Sequence, residues 1–184
     1  MKHDPMADNP YTSHLDKNTA NYTPLSPLSF LARSKDVYPD YPSIVYGKTT
    51  YNWQQTSERC LRLAAALHAI GIEKNHTVAI MAPNIPPMFE AHFGVPMCGA
   101  VLNAINTRLD AKSILYILEH SGAKVLIADT EYSETLAEVL QALQEPPIVI
   151  DIEDSAITGG ARLGTIEYEE FLQTGDPQFN WQLP

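Results

Sequence analysis

Three short apolar runs, separated by amphipathic stretches, constrain the fold of this chain more than any other feature. The runs are residues 77–82 (TVAIMA), 124–129 (KVLIAD) and 147–152 (PIVIDI). Strands that are apolar on both faces are typical of a sheet that is buried on both sides. Because helical periodicity fills the intervals between them, we predict an α/β fold with a mostly parallel sheet, helices on both faces and right-handed crossovers.

Capping residues predict the bounds of the helices between these strands. A helix is expected over residues 85–98. Asp110 is expected to cap the next helix, which ends at Gly122, and Thr130 to cap the one after it. Beyond Asp154 the pattern weakens, and the sequence predicts a loop, one short helix and an extended tail.

The first part of the chain reads as an arm, a short helix and a hairpin. Residues 1–25 are polar and are expected to form an N-terminal arm, so that residues 26–184 form one incomplete domain. Ser26 is expected to cap a short helix, and Gly47 lies at the turn of a β-hairpin. A capping box at Asn52 begins a longer helix, which Gly71 ends.

Charge and hydropathy exclude several classes of partner. Twelve basic and 22 acidic residues give a net charge of −10, which argues against nucleic acid or an anionic membrane surface as a partner. No apolar run approaches the ~20 residues that cross a bilayer. Cys60 and Cys98 are isolated in apolar helical contexts and are expected to be buried free thiols. Since the N-terminus resembles neither a signal peptide nor a transit peptide, we predict a cytoplasmic location.

The spacing of Gly94 and Gly99 matches the two glycines of a Walker A loop. That loop continues with Lys and Ser or Thr, whereas Ala100 and Val101 follow here. A phosphate loop also needs a strand before it and a helix after it, and the order here is reversed. Pro96 is expected to disrupt the helix. We therefore interpret the two glycines as small residues that let a kinked helix pack close to a sheet.

A second glycine-rich stretch, residues 158–164 (TGGARLG), places Arg162 next to Gly159 and Gly160. An arginine beside glycines can bind phosphate. No strand leads from here into the N-terminus of a helix, however, so we interpret the stretch as a surface turn.

Histidines and paired carboxylates form no recognisable site. The Glu153–Asp154 and Glu169–Glu170 pairs are expected to be solvated. The six histidines show no HxH or HExxH spacing, and His68, His92 and His120, in helical segments, are expected to be solvated or to lie at packing interfaces. The six are His3, His14, His68, His76, His92 and His120.

Serines and tryptophans likewise suggest no chemistry. Ser13, Ser57 and Ser121 lack the context of a nucleophile elbow. Trp53 and Trp181 have no basic residues clustered near them and are expected to anchor packing. The sequence therefore names no catalytic residue and no metal site, and it leaves any cofactor-binding residues unassigned.

An ordered set of segments nonetheless resembles the AMP-forming acyl-CoA synthetases of the adenylate-forming superfamily. The segments are residues 23–47, 50–72, 77–129 and 175–181, and the most specific piece is GAVLNAINTRL, residues 99–109. The resemblance runs from about Thr23 to the last residue. It is nearer to the medium- and long-chain fatty-acyl branch than to the acetyl-CoA synthetases.

The resemblance implies a two-step reaction that uses ATP, Mg²⁺ and coenzyme A. A fatty or other carboxylic acid attacks the α-phosphate of ATP, and the thiol of coenzyme A then displaces AMP. The family's Gly-rich phosphate loop, which ends in Pro-Lys, and its later nucleotide-binding segments have no matching positions here. The resemblance therefore implies the N-terminal part of a synthetase, with a structural role and no activity of its own.

Two other functions remain open at this point. The chain could be a free-standing binding or regulatory module that pairs with a full-length subunit or with a second copy of itself. It could also be a flavodoxin-like nucleotide binder, with its ligand at the carboxyl ends of the strands.

Overall fold

A computed structural model describes residues 16–18, 20, 22–23, 25–157 and 159–181. Most of the predicted N-terminal arm therefore lies outside the described residues. In chain order the elements are α1 (Pro27–Val37), β1 (Pro42–Tyr46), β2 (Thr49–Asn52), α2 (Trp53–Ala69), β3 (Thr77–Met81), α3 (Pro86–Met97), β4 (Val101–Ala104), α4 (Ala111–Ser121), β5 (Val125–Asp129), α5 (Ser133–Ala142), β6 (Ile148–Ile152), β7 (Ile166–Glu167) and α6 (Tyr168–Gln173).

The main sheet is parallel throughout, as predicted. Its order is β4-β3-β5-β6-β7, and β1 and β2 form a separate antiparallel hairpin. Val78 of β3 pairs with Leu102 on one side and with Val125 on the other. The chain leaves β3 toward one edge, returns across it to β5 and then moves toward the other edge. The order therefore reverses between β3 and β5, which is the topological switch point of a doubly wound sheet.

Alternate residues of the strands supply the two layers of the core. Ile80 and Ile127 pack with residues of α2, α3 and α6 on one face. Met81 and Leu126 pack with residues of α4 and α5 on the other. Each of these four side chains is at most 1% exposed, and burying one contributes roughly 1.5–3 kcal/mol. Both faces of the sheet are therefore covered.

A third apolar cluster joins the first three helices away from the sheet. We call it the α1 cluster; its buried members are Leu28, Leu31, Cys60, Ala64 and Met97. Phe179 and Trp181 pack against it. The end of the described chain is thus held on the same surface as the end of α3.

Several predicted caps are confirmed by hydrogen bonds. The Ser26 hydroxyl accepts from the Leu28 N–H, and Asn52 and Gln55 form both halves of a capping box. Asp110 accepts from the N–H of Ser113. These bonds satisfy amides that have no partner within the first turn of a helix.

Thr130 does not cap α5, contrary to the prediction: the residue before α5 is Tyr132, which makes no side-chain capping hydrogen bond. Asp129 accepts a hydrogen bond from the Glu131 N–H at 2.9 Å, and a short 3₁₀ turn, Thr130–Tyr132, precedes α5. Asp129 is also the last residue of β5, so its carboxylate caps the 3₁₀ turn that directly follows the strand.

The single short helix predicted after the loop is a strand followed by a helix. Ile166 pairs with Ile150 and Glu167 with Asp151, which makes β7 the edge of the sheet beside β6. The Glu167 carboxylate then caps α6 by accepting from the N–H of Glu169 at 2.7 Å. Two residues are too few to give a period-2 signal, so pattern analysis missed the strand.

In the part of the chain that the structure describes, no helix is both long enough and apolar enough to cross a bilayer.

Candidate functional site

The Gly94–Gly99 segment packs one helix on another. A Cβ built on Gly94 would lie 2.8 Å from Cδ2 of Leu63 and 2.9 Å from the carbonyl oxygen of Cys60, both on α2. The packing interpretation is confirmed, but the neighbour is α2 and not the sheet. Gly99 takes φ +85°, a left-handed conformation that turns the chain toward β4.

Pro96 does not break α3, contrary to the prediction. The helix continues for one residue past it, to Met97. The carbonyl of Gly94 still accepts from the Cys98 N–H at 3.3 Å. A proline so close to the C-terminal end removes one helical hydrogen bond without interrupting the turns before it.

Acidic side chains gather at the carboxyl ends of the strands. Asp129 has no exposed surface; one of its oxygens accepts from Glu131, and within the described residues the other oxygen, Oδ2, has no hydrogen-bond partner. Burial raises the pKa of the Asp129 carboxyl, and the charges of Asp154 and Glu131 raise it further, against the hydrogen bond from the Glu131 amide. An acceptor left unpaired in this way costs about 1–3 kcal/mol.

Tyr46 of the hairpin reaches the same edge of the sheet. Its hydroxyl donates a short hydrogen bond to Oδ2 of Asp154, which follows β6. That bond, with smaller contributions from burial and the nearby carboxylates, raises the pKa of Tyr46 to about 12. The pair joins the hairpin to the main sheet.

Arg162, the arginine weighed as a phosphate ligand, forms an ion pair with Glu153. Its Nε lies 2.6 Å from Oε1 of Glu153, and both side chains are more than two-fifths exposed. The surface-turn interpretation is therefore confirmed for the described part of that loop. Gly160 in the same loop lies against the carbonyl of Thr130, where a Cβ would come within 2.1 Å of the oxygen.

A buried ion cluster was missed by sequence analysis. Arg59 of α2 donates to Glu90 of α3 through Nε at 2.6 Å and to Glu169 of α6 through Nη2 at 2.6 Å. The Tyr168 hydroxyl also donates to Glu90, at 2.8 Å. We call these four residues the Arg59 cluster. The signal that could have revealed it is a lone acid, Glu90, within an otherwise apolar helix.

In the Arg59 cluster, burial and ion pairing shift the pKa values of Glu90 and Arg59 in opposite directions. Burial raises the pKa of Glu90, while hydrogen bonds from Arg59 and Tyr168 oppose that shift. Burial alone would lower the pKa of Arg59, but hydrogen bonds to Glu169 and Glu90 raise it. The geometry is that of an ionised pair. Glu169, predicted to be solvated, is half exposed and bound to Arg59.

An apolar groove of about 710 Å³ lies between the hairpin and α3. It begins where the chain leaves β3, and its walls are mostly aliphatic and aromatic side chains. They include Ile44, Val45, Ile85, Met88, Phe89 and Phe93. Such a surface can receive apolar groups but offers little to a phosphate.

The remaining histidines and serines are not brought together. His76 accepts from the N–H of Glu73, His92 bonds the carbonyl of Met88 within its own helix, and His120 stacks on Tyr116. His68 lies beside Phe179, Ser57 is buried in α2, and Ser121 donates to the carbonyl of Leu118. His3, His14 and Ser13 lie outside the described residues.

The tryptophans and Cys60 are placed as predicted, whereas Cys98 is less buried than predicted. Trp53 and Trp181 pack against the α1 cluster. Cys60 is a buried free thiol, and Cys98 is a half-buried one. Among the described residues, no group of three or more His, Cys, Asp or Glu side chains could hold a metal ion.

With this geometry in hand, comparison with known proteins identifies the family. Residues 31–176 match the family model of the AMP-binding enzymes. The chain belongs to the AMP-binding enzyme family. The matched range includes all the strands, from the hairpin to β7, so the family assignment and the fold rest on the same residues.

Similar curated proteins are CoA ligases. Over 182 residues the chain is 45% identical to the peroxisomal acetate/butyrate–CoA ligase AAE7 of Arabidopsis thaliana and 42% identical to the acetate–CoA ligase CCL3 of Humulus lupulus. Each alignment covers 92% of this chain and 32% of the relative. The chain therefore spans about a third of the length of these relatives.

Solved structures give the same fold. The anthranilate CoA ligase AuaEII in complex with anthranoyl-AMP superposes with a TM-score of 0.77 at 18% identity, over 85% of this chain and 29% of the other. A benzoate CoA ligase from Burkholderia xenovorans gives 0.73 at 18% identity, over 85% and 30%. At such low sequence identity these superpositions show only that the fold is shared.

The carboxylates at the carboxyl ends of the strands do not fit the triphosphate of ATP, which AMP-forming CoA ligases use together with Mg²⁺. Asp129, Glu131 and Asp154 place negative charge where a doubly wound sheet binds its ligand, and like charge repels a triphosphate. Arg162, beside that edge, already pairs with Glu153. The nucleotide therefore needs groups that these residues do not supply.

Proposed function

We propose that this chain is the N-terminal part of an ATP-dependent acyl-CoA ligase. The parent enzyme would join a carboxylic acid to ATP, giving an acyl-adenylate and pyrophosphate, and then transfer the acyl group to the thiol of coenzyme A with release of AMP. The family match over residues 31–176, in a chain 45% identical to a named CoA ligase, carries this proposal.

Within that enzyme the chain would act as a scaffold. Its helices carry internally paired charges: Arg59 of α2 pairs with Glu90 of α3 and Glu169 of α6, and Arg62 pairs with Glu58 within α2. A side chain that is already paired does not offer its charge to a ligand. We therefore expect the 184-residue chain alone neither to adenylate a carboxylate nor to bind ATP tightly.

The relatives' names support a small acid as substrate. They include acetate, butyrate, 2-methylpropanoate, benzoate and trans-cinnamate. These acids are short, branched or aromatic, so within the broad prediction of a fatty or other carboxylic acid we favour a short-chain or aromatic one.

Pyrophosphate–ATP isotope exchange tests the proposal. It is measured with the 184-residue chain and with the chain extended by its downstream reading frame, each with acetate, butyrate, benzoate and a C16 fatty acid. We expect exchange with the extended chain and a small acid only. Exchange catalysed by the 184-residue chain would refute the scaffold role, and none from any extended chain would refute the ligase.

A nucleotide-binding module is a second candidate. When the five strands of the main sheet are renumbered in chain order, their spatial order is 2-1-3-4-5, which is the flavodoxin-like order. The carboxylates at the switch point oppose it. A rise in the melting temperature of the 184-residue chain with AMP or a flavin mononucleotide would favour it, since a ligand that binds only the folded state stabilises that state. Co-purification of the chain with a full-length ligase would favour a free-standing regulatory module.

The cytoplasmic location stays a prediction. Three of the similar ligases are named as peroxisomal in Arabidopsis thaliana. Fluorescence microscopy of the full-length protein, tagged in turn at each terminus, separates a cytoplasmic from a peroxisomal distribution.

A further inference from the structure

We propose that two copies of this chain pair about a two-fold axis through the outer surface of α1 and the hairpin. We call this surface the α1–hairpin face; its exposed apolar members are Phe30, Val37, Tyr38, Tyr41 and Val45. Each of these five side chains is more than half exposed. A single exposed apolar side chain is ordinary, whereas a contiguous group of them marks an interaction surface.

Helical spacing places the first part of the α1–hairpin face on one stripe of α1. Phe30 and Val37 lie two helical turns apart, so they share the side of the helix that faces away from the α1 cluster. Leu28 and Leu31, on the other side, are buried in that cluster. The stripe continues past the end of the helix, where the rings of Tyr38 and Tyr41 meet edge to face with centroids 5.6 Å apart.

The α1–hairpin face borders the apolar groove between the hairpin and α3. Val45 forms part of the groove wall, and so does Pro27 at the start of α1. On the α3 side the wall holds the rings of Phe89 and Phe93, with centroids 5.0 Å apart. A ridge beside a groove is self-complementary, because a two-fold axis sets the ridge of each copy against the groove of the other.

Charge favours this face for contact with a second copy. The chain carries 12 basic and 22 acidic residues, so two copies repel each other over most of their surface. Residues 25–52, which include α1 and the hairpin, contain three basic and two acidic residues, leaving nine basic and 20 acidic residues elsewhere. A two-fold contact sets a surface against itself. A face with both signs, such as Arg33 and Lys48 with Asp40, can therefore pair where an acidic face repels.

The composition and area of the face also suit a dimer. Phe, Tyr and Arg are enriched in protein interfaces, and homodimer interfaces are more apolar than other protein surfaces. The five apolar side chains expose on the order of 500 Å² in all, three of them being large aromatic rings. A stable interface buries about 800 Å² per partner. The groove walls beside the five side chains, which include Met88 and Phe93, supply the remainder.

Sedimentation equilibrium of the 184-residue chain tests the inference. We expect a reversible equilibrium between monomer and dimer at micromolar chain concentrations, with no larger species, because a two-fold contact closes at two copies. A chain that remains monomeric at millimolar concentration would overturn the inference. Open-ended association into larger aggregates would also overturn it.

A pair of matched variants separates the α1–hairpin face from the rest of the surface. Val45→Glu should weaken the dimer at least about 10-fold, because the two-fold axis brings two new carboxylates into one interface. Val101→Glu is the control: Val101 is a half-exposed strand residue of the main sheet, outside the face, and the dimer should keep its affinity. Circular dichroism checks that both variants are folded. An unchanged dimer in Val45→Glu, or equal weakening in the two variants, would overturn the inference.

Isotope-filtered NMR of an equal mixture of labelled and unlabelled chain locates the contact. We expect intermolecular NOEs to the rings of Phe30, Tyr38 and Tyr41. Tyr116, which is 63% exposed on α4, should show none. Intermolecular NOEs confined to residues outside the α1–hairpin face would place the dimer elsewhere and overturn the inference.

A lipid surface is the competing occupant of an exposed face with aromatic and basic side chains. Binding of a monomeric chain to phosphatidylcholine vesicles, lost in Val45→Glu, would assign the face to lipid and overturn the inference. The dimer and the ligase are tested separately, because pyrophosphate exchange by an extended chain neither requires nor excludes pairing of the 184-residue chain.

Discussion

Nε of Arg59 lies 2.6 Å from Oε1 of Glu90, a carboxylate with no exposed surface. The same guanidinium binds Glu169, and Tyr168 donates to the second oxygen of Glu90. One arginine of α2 thus joins α3 and α6, through partners that lie 31 and 110 residues away in the sequence. Because a buried charge is tolerated only when it is paired, the cluster fixes how these helices pack.

Glu90→Gln should destabilise the chain strongly, because it leaves Arg59 partly buried with one partner fewer. We expect a loss of about 3 kcal/mol in the free energy of unfolding, measured by urea denaturation. The matched control Glu169→Gln removes the half-exposed partner and should cost less than about 1 kcal/mol. Equal losses in the two variants would show that the burial of Glu90 does not increase its contribution to the free energy of unfolding.

Gly94→Ala should also destabilise, because the added Cβ would meet Leu63 and the backbone of Cys60 at less than 3.0 Å. Overpacking of this kind costs about 1–3 kcal/mol. Gly122 is the control: it has φ +58°, and a Cβ added there would meet nothing within 4 Å. Gly122→Asn should therefore be nearly neutral, since Asn tolerates the left-handed conformation. Thermal unfolding of both variants measures the difference.

Asp129→Asn should stabilise the chain at pH 7. The raised pKa of Asp129 means that the native state holds this proton more tightly than the unfolded state, so stability falls as pH rises from the ordinary aspartate pKa through the raised one. Removing the charge should gain about 1 kcal/mol at pH 7. The gain should shrink toward pH 4, as urea denaturation at both pH values would show.

Asp110→Asn is the control of opposite sign for that experiment. Hydrogen bonds from Ser113 lower the pKa of Asp110, so its ionised form favours the native state above the ordinary aspartate pKa, and this contribution is lost as pH falls. No gain at pH 7 is expected for this variant. A gain equal to that of Asp129→Asn would point to net charge and not to burial as the cause.

Asp154→Asn should return the pKa of Tyr46 from about 12 toward the ordinary tyrosine value of about 10. The neutral phenol is the form that donates to Asp154, so this contact contributes to stability below pH 10 and is lost as pH rises toward 12. NMR titration of ring-labelled tyrosine follows the shift, and Tyr46→Phe identifies the resonance. An unchanged titration in Asp154→Asn would exclude the hydrogen bond as its cause.

Much of the fold could be predicted because its signals are local. The run VLIAD is apolar at every position but the last, and it forms β5, in which every residue is buried. Asn52 and Gln55 lie three residues apart, so their capping box is visible in the sequence. β7 was missed because its two residues are a strand only through pairing with β6.

The candidate site was less predictable than the fold. Glu90 and Tyr168 are 78 residues apart, and no short motif joins them. In the sequence Glu169 resembles any exposed acidic residue, because its contact with Arg59 forms only when α6 packs beside α2. The unpaired oxygen of Asp129 depends on strands and loops that meet only in the folded chain.

The sequence by itself determined most of the alternation of strands and helices, the caps at Ser26, Asn52 and Asp110, and the family, since each depends on neighbouring residues or on a long run of matched ones. Tertiary structure alone decided which charges meet, that Gly94 faces α2 and that β4, among the described residues, pairs only with β3. The physical reason is that hydrophobic periodicity fixes which face of an element is buried, whereas the partner of each face depends on how the layers dock.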